Sequence, residues 1–214
     1  MKSTFGLGIY TISDASEILR IPKRKVRYWF NKYVSGEFSN RYKGKYFLDA
    51  GDIIAVNFYT LVETYTFYHL KEKGLPTKTI IEAHNILGQM YNTPYPFALH
   101  KFLASGAELF HEISEEVTIA LNNRNQIAIK GIIQHYAENF DFSKGLAHKY
   151  YPAGRKSSVV INPENQFGAP IIDGTNIKIS ALMNLYRGGE DVKFIAELYE
   201  LKTKQVKDAI KFAA

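Results

Sequence analysis

The 214-residue chain contains no cysteine, which removes disulfides, thiolate catalysis and cysteine-ligated zinc from consideration. No apolar run is long enough to cross a bilayer, and Met1 to Tyr10 lacks the basic start and apolar stretch of a secretory signal. A soluble, cytoplasmic protein with no membrane contact is the expectation. Catalytic groupings are missing too. The six histidines (His69, His84, His100, His111, His135 and His148) include no i, i+4 pair and no His-Glu-x-x-His. Gly6-Leu7-Gly8 and Gly188-Gly189 lack the flanks of a dinucleotide loop, and Gly44-Lys45 is followed by Tyr46 rather than Ser or Thr. The carboxylates form no acid/base pair. The expectation is therefore no enzyme, no metal and no cofactor.

What the chain does have is apolar residues (46%) sufficient for a core, with fifteen Tyr and fourteen Phe. Its net charge of +6 is unevenly spread. Between Arg20 and Lys45 nine basic residues face one acid, Glu37, a net of +8 that leaves the remainder at −2. One compact basic block in a slightly acidic chain is the footprint of a phosphate-binding face.

That block has a helical pattern. Tyr10 to Leu19 places Ile12, Ala15, Ile18 and Leu19 at helical spacing, with Thr11 or Ser13 as cap. Arg20-Ile21-Pro22 breaks the helix, and Pro22 suits the start of another. The second helix, to about Tyr33, has Val26, Trp29, Phe30 and Tyr33 as its buried stripe. Lys23, Arg24, Lys25, Arg27, Tyr28, Asn31 and Lys32 occupy its other faces. Two short helices about a tight turn, the second basic outside, form a helix-turn-helix pattern. Arg41 to Phe47 alternates aromatic and basic residues around Gly44, suggesting a hairpin wing with its turn at Lys43-Gly44. In this reading Arg24, Lys25, Arg27 and Tyr28 reach a DNA groove, while Lys23, Lys32, Arg41, Lys43 and Lys45 hold phosphates. The same charges would also suit a merely solvated helical hairpin.

Tyr10-Thr11-Ile12-Ser13-Asp14-Ala15-Ser16-Glu17-Ile18-Leu19, then Lys25-Val26-Arg27-Tyr28-Trp29, Tyr46-Phe47-Leu48-Asp49, Asp52-Ile53-Ile54 and the Gly74-Leu75-Pro76 step before Ile80-Ile81 together resemble MerR-type winged helices. Asp49 and Asp52 are expected to cap the next helix, which runs from Ile53 to about Lys71 and is apolar on nearly every side, as a central strut would be. The long dimerising heptad helix of MerR regulators is absent, as are metal-sensing cysteines.

From His84 to Asp141 the charge inverts, with six acids against three basic residues. A hairpin over Leu109–Leu121 and a helix over Gln126–Tyr136 are expected there. The segment reads as a connecting α+β module or as an acidic face for a basic protein partner.

Beyond Tyr151-Pro152-Ala153-Gly154, a strand over Ser157–Pro163 precedes a glycine-punctuated stretch, Phe167 to Ile177. Three short helices follow: Ser180–Arg187, Asp191–Tyr199, and one capped by Thr203. A tight Glu200-Leu201 turn makes the last two helix-turn-helix-like, with Lys202, Lys204, Gln205, Lys207 and Lys211 outside. These lysines form a second candidate face for nucleic acid or a partner. Asn162-Pro163, Phe167-Gly168-Ala169-Pro170-Ile171-Ile172-Asp173-Gly174-Thr175-Asn176-Ile177, Arg187-Gly188-Gly189-Glu190, Ile195-Ala196-Glu197-Leu198-Tyr199 and Val206-Lys207-Asp208-Ala209-Ile210 occur in an order that resembles the C-terminal domain of VapB-type antitoxins. That resemblance, and nothing in the composition, implies a protein that represses its own operon by binding duplex DNA and neutralises a PIN-like ribonuclease toxin.

The expected architecture is α+β and mostly helical. A winged helix-turn-helix occupies 1–90, an acidic module 91–150 and a trihelical domain 151–214. A homodimer is expected, because two half-sites bind DNA better than one short helix. The rival readings are a stand-alone transcription regulator with no toxin and a protein-interaction module that does not bind DNA.

Overall fold

The computed structural model describes residues 7–38, 40–50, 53–102 and 138–214. The expected hairpin over 109–121 and helix over 126–136 lie outside those residues. The fold is mixed α+β and mostly helical, and the chain divides into two compact units.

The described N-terminal unit covers 9–102 and 142–147. Strand β1 (Tyr10–Thr11) runs into α1 (Ile12–Leu19), whose start is a capping box. The Thr11 hydroxyl accepts from the Asp14 amide at 3.3 Å, and the Asp14 carboxylate accepts from the Thr11 amide at 2.9 Å. Each bond satisfies an amide that the first helical turn leaves without a partner. Helix α2 (Lys23–Ser35) buries Val26, Trp29, Phe30 and Tyr33, the stripe expected from the spacing. Gly36 ends it at φ 77°, a left-handed conformation that suits glycine.

The segment after α2 differs from its sequence reading. Asn40–Tyr42 is one 3₁₀ turn, and Lys43–Tyr46 is a short helix, α3. The hairpin lies further on, as β2 (Phe47–Ala50) and β3 (Ile53–Val56), paired Phe47 to Val56 and Ala50 to Ile53. Lys43-Gly44 therefore lies within α3 and is not the turn of this hairpin. With β1 on the other side of β3, the sheet order is β1-β3-β2. The reason is that side chains distant in sequence satisfy the α3 carbonyls. The Lys45 carbonyl accepts from Asn57 Nδ2 and the Tyr95 hydroxyl, and the Tyr46 carbonyl accepts from the Thr60 hydroxyl.

The expected helix from Ile53 is likewise corrected. Ile53–Val56 is strand, and the helix α4 is Phe58–Glu72, capped by Asn57 at 2.9 Å to the Thr60 amide rather than by Asp49 or Asp52. A short β-branched apolar run has no periodicity that separates strand from buried helix. The strut itself is present, since α4 is buried on nearly every side. Gly74, at φ 95°, and Pro76 then separate it from α5 (Thr77–Met90). The core between α2, α4 and α5 is aromatic: Trp29 stacks on Phe67 with centroids 5.0 Å apart, and Tyr33 meets Phe38 at 4.1 Å. Such pairs add about 0.5–1.5 kcal/mol each beyond their buried area.

The described C-terminal unit covers 7–8, 138–141 and 148–214. A four-stranded sheet runs β4 (Phe140–Ser143), β5 (Leu146–Tyr150), β6 (Val159–Ile161), β7 (Pro170–Ile172) in chain order, and β6 and β7 lie wholly in this unit. Strand β6 is buried throughout, as a Val-Val-Ile centre of a small sheet must be. Helices α6 (Ile179–Arg187), α7 (Val192–Leu198) and α8 (Thr203–Ala213) cover it, packing Leu182, Ile195, Val206, Ala209 and Phe212 against Val159 and Ile172. Thr203 is the first residue of α8; the cap position is Lys202, whose amide donates to the Gln205 side-chain oxygen at 2.8 Å.

Candidate nucleic-acid interface

The turn between α1 and α2 determines which side of α2 is free. Arg20 takes a left-handed conformation at φ 56°, and the next amide, of Ile21, reaches back to the Ser16 carbonyl at 3.2 Å. Ser16 Oγ completes the corner by donating to the Ile21 carbonyl at 2.7 Å. Ile21 is buried and plugs it from within. Helix α2 consequently leaves the turn with its aromatic stripe inward and Lys23, Arg24, Arg27, Tyr28 and Asn31 exposed.

The nine candidate residues near the N-terminus do not form one set. Lys23, Arg24 and Arg27 are exposed and carry no ion pair among the described residues, and Tyr28 is 45% exposed beside them. Lys25 and Lys32 lie on the flanks of the helix and are already engaged. Lys25 Nζ lies 2.5 Å from Glu72 and over the Tyr68 ring. Lys32 Nζ lies 2.6 Å from Glu37 and over the Tyr28 ring. The hydrogen bond to Glu72 raises the Lys25 pKa, and the bond to Glu37 does the same for Lys32. Arg41 stands on the 3₁₀ turn and Lys45 on α3, both exposed, rather than on a hairpin tip. The side chain of Lys43 lies outside the described residues.

The placement of Lys23, Arg24 and Lys25 is electrostatically uphill. All three occupy the first turn of α2, where the helix dipole is positive, and no acid accompanies them. Cations there are disfavoured by the dipole. A helix selected for stability alone would carry acids at these positions. Basic residues there instead suit a surface that meets anions.

One buried group holds this face on its scaffold, and spacing along the chain does not reveal it. Glu63, on α4, is fully buried. One carboxylate oxygen accepts from the amides of Phe97 and Ala98 at 2.8 and 3.0 Å, where Pro96–Ala98 forms a 3₁₀ turn. The other accepts from the Tyr33 hydroxyl of α2 at 3.3 Å and lies 3.1 Å from Nε2 of buried His84 on α5, an ion-pair distance without hydrogen-bond alignment. Burial pushes the Glu63 carboxyl above its usual range, against the pull of His84 and the two amides. An acid in the middle of a helix buried on nearly every side is its signal in the sequence.

A family model described as "Protein of unknown function (DUF433)" matches residues 159–213. A protein of Mycobacterium tuberculosis named "Putative antitoxin VapB45" is 23% identical over 98% of this chain and 95% of its own length. The crystal structure of Rv2018 from Mycobacterium tuberculosis matches with a TM-score of 0.74 at 20% identity, covering 94% of this chain and 96% of that one. At that identity the structural likeness is one of fold. The DUF433 match lies in the C-terminal unit, on the segment holding β6, β7 and α6 to α8.

Among the described residues no helix is long and apolar enough to cross a membrane, and no cluster of His, Asp or Glu is arranged to hold a metal ion.

Proposed function

We propose that this chain is a DNA-binding, antitoxin-like transcription regulator. It represses its own operon through α2 and neutralises a PIN-like ribonuclease toxin by direct contact. The observation that carries the DNA half is the α2 face: Arg24, Arg27 and Tyr28 stand exposed on one side, and neither arginine has an intramolecular ion pair among the described residues. Arginine's planar fork reads a guanine edge or grips a phosphate with two donors, and Tyr28 adds a hydroxyl. Arg41 and Lys45, exposed after α2, supply further cations for backbone phosphates. The toxin half is supported by the relative named as an antitoxin, which aligns over nearly the whole length of both proteins. A homodimer that places two copies of α2 on successive half-sites completes the proposal.

Co-purification of the full chain from its native host tests both halves at once. The expected result is recovery of a small nuclease together with a duplex fragment from the chain's own promoter. Recovery of DNA without a nuclease reduces the protein to a stand-alone regulator. Absence of retention on duplex DNA at ~50 mM salt, a condition that favours phosphate contacts, rejects the DNA half.

A further inference from the structure

The turn that aims α2 recurs in the C-terminal unit, each position 180 residues further along, from Thr11 to Asp191 and from Arg20 to Glu200. Both leading helices open on a side-chain cap. Thr11 accepts from the amide of Asp14, and Asp191 accepts from that of Phe194 at 2.9 Å. Both are followed by a left-handed residue, Arg20 at φ 56° and Glu200 at φ 54°. The next amide reaches back five residues in each, Ile21 to the Ser16 carbonyl at 3.2 Å and Leu201 to the Ala196 carbonyl at 2.8 Å. A non-helical cap residue follows, Pro22 at ψ 134° or Lys202 at ψ 145°, and the second helix starts one residue later. Val26 and Val206 then stand at the same position, both fully buried.

This correspondence sets Lys204, Lys207 and Lys211 of α8 where α2 carries Arg24, Arg27 and Asn31. All three are exposed. Lys204 is committed inside the unit, donating to the Lys156 carbonyl at 2.8 Å and to Asp208 at 2.6 Å. Asp208 also accepts from the amide and hydroxyl of Ser158, both at 2.8 Å, so its charge is matched and directed at the start of β6. Lys207 and Lys211, one helical turn apart, have no ion pair among the described residues.

We propose that α8 is a second phosphate-contacting helix, which grips the backbone of duplex DNA through Lys207 and Lys211. This rests on the DNA-binding reading of the N-terminal unit. The chemistry distinguishes the two helices. A lysine ammonium is a point charge without a planar fork, so α8 adds affinity without reading sequence, whereas α2 holds the arginines that can read it.

The test is the salt dependence of full-chain binding to a random-sequence duplex of about 30 base pairs, measured from ~50 to ~200 mM salt. Each phosphate neutralised adds about 0.9 to the slope of log affinity against log salt. The Lys207→Ala/Lys211→Ala double variant is expected to lower the slope by about 1.8, and Lys207→Arg/Lys211→Arg to retain it. A slope unchanged by the alanine pair overturns the proposal and leaves α8 to solvent or to a protein partner. If the slope is unchanged in that variant while Arg24→Ala/Arg27→Ala loses its preference for the operator over the random duplex, only this inference fails and the N-terminal reading stands. Absence of any salt-dependent binding by the unsubstituted chain removes both.

Discussion

Tyr33 of the basic helix α2 donates its hydroxyl to a fully buried carboxylate, that of Glu63 on α4, across 3.3 Å. The same carboxylate is bonded to the Phe97 and Ala98 amides and lies beside His84. Three elements besides its own helix thus depend on one acid. Removing it strands two amides, a hydroxyl and a histidine in a core that water does not reach. Loss of one partner from a buried ionic cluster costs about 3–5 kcal/mol. Glu63→Ala should destabilise the protein by about that much, read as a lower urea midpoint with an unchanged slope. A cost below about 1 kcal/mol, the level of an exposed pair, would show that the cluster contributes little.

Lys25 and Glu72 form the opposite kind of pair, exposed and worth little to stability. Under the DNA-binding reading, their pairing withholds one cation from the phosphates. Glu72→Gln should release Lys25, strengthen binding and steepen its salt dependence by about 0.9. Affinity and slope equal to those of the unsubstituted chain would mean that Lys25 does not meet DNA.

Arg24→Ala/Arg27→Ala is expected to abolish sequence preference for the operator and to weaken binding by about 1–3 kcal/mol for each arginine that reads a base edge. Competition between specific and random duplexes separates this from weaker phosphate binding, which would affect both alike. Intact operator preference in the double variant would remove α2 as the reading helix.

Asp208 carries a pH prediction. Burial alone would raise its carboxyl, but the bonds from Lys204 and Ser158 outweigh burial and hold it below the usual carboxylate range. A depressed folded-state pKa stabilises the fold above the unfolded value and loses that contribution as pH falls through the folded one. The C-terminal unit should therefore lose stability on acidification below about pH 4. Asp208→Ala should flatten that dependence and cost about 1.5–3 kcal/mol at neutral pH. An acid profile identical in the variant would rule out Asp208 as its source.

Glu200 holds the left-handed position of the second turn at φ 54°. That conformation costs an L-residue with a side chain about 1–2 kcal/mol, and glycine nearly nothing, although glycine gives some of the gain back as unfolded-chain entropy. Glu200→Gly should be neutral to stabilising by up to about 1 kcal/mol, and Glu200→Val clearly destabilising. Thermal unfolding of the two variants would show the ordering, and its reversal would contradict the conformation.

Much of the fold was legible because it is local. The stripe Val26, Trp29, Phe30, Tyr33 follows from helical spacing, and Thr11 was one of the two caps expected for α1, though its reciprocal bond with Asp14 was not read. The run from Ile53 to Val56 was not legible, because a short apolar segment obeys both periods until a partner strand is present, and β2 and β1 supply it. The aromatic and basic alternation of Arg41–Phe47 likewise suited a hairpin until Asn57, Thr60 and Tyr95 captured the carbonyls of Lys45 and Tyr46.

By itself the sequence determined where positive charge is concentrated and that helices would carry it, since charge and periodicity belong to neighbouring residues. Tertiary structure decided which of those charges remain available. Lys25 is spent on Glu72, 47 residues away, and Lys204 partly on the Lys156 carbonyl, 48 residues away, while Arg24 and Arg27 are left exposed. An ion pair forms only where the fold brings two distant side chains within reach, and no spacing rule along one strand of chain records that.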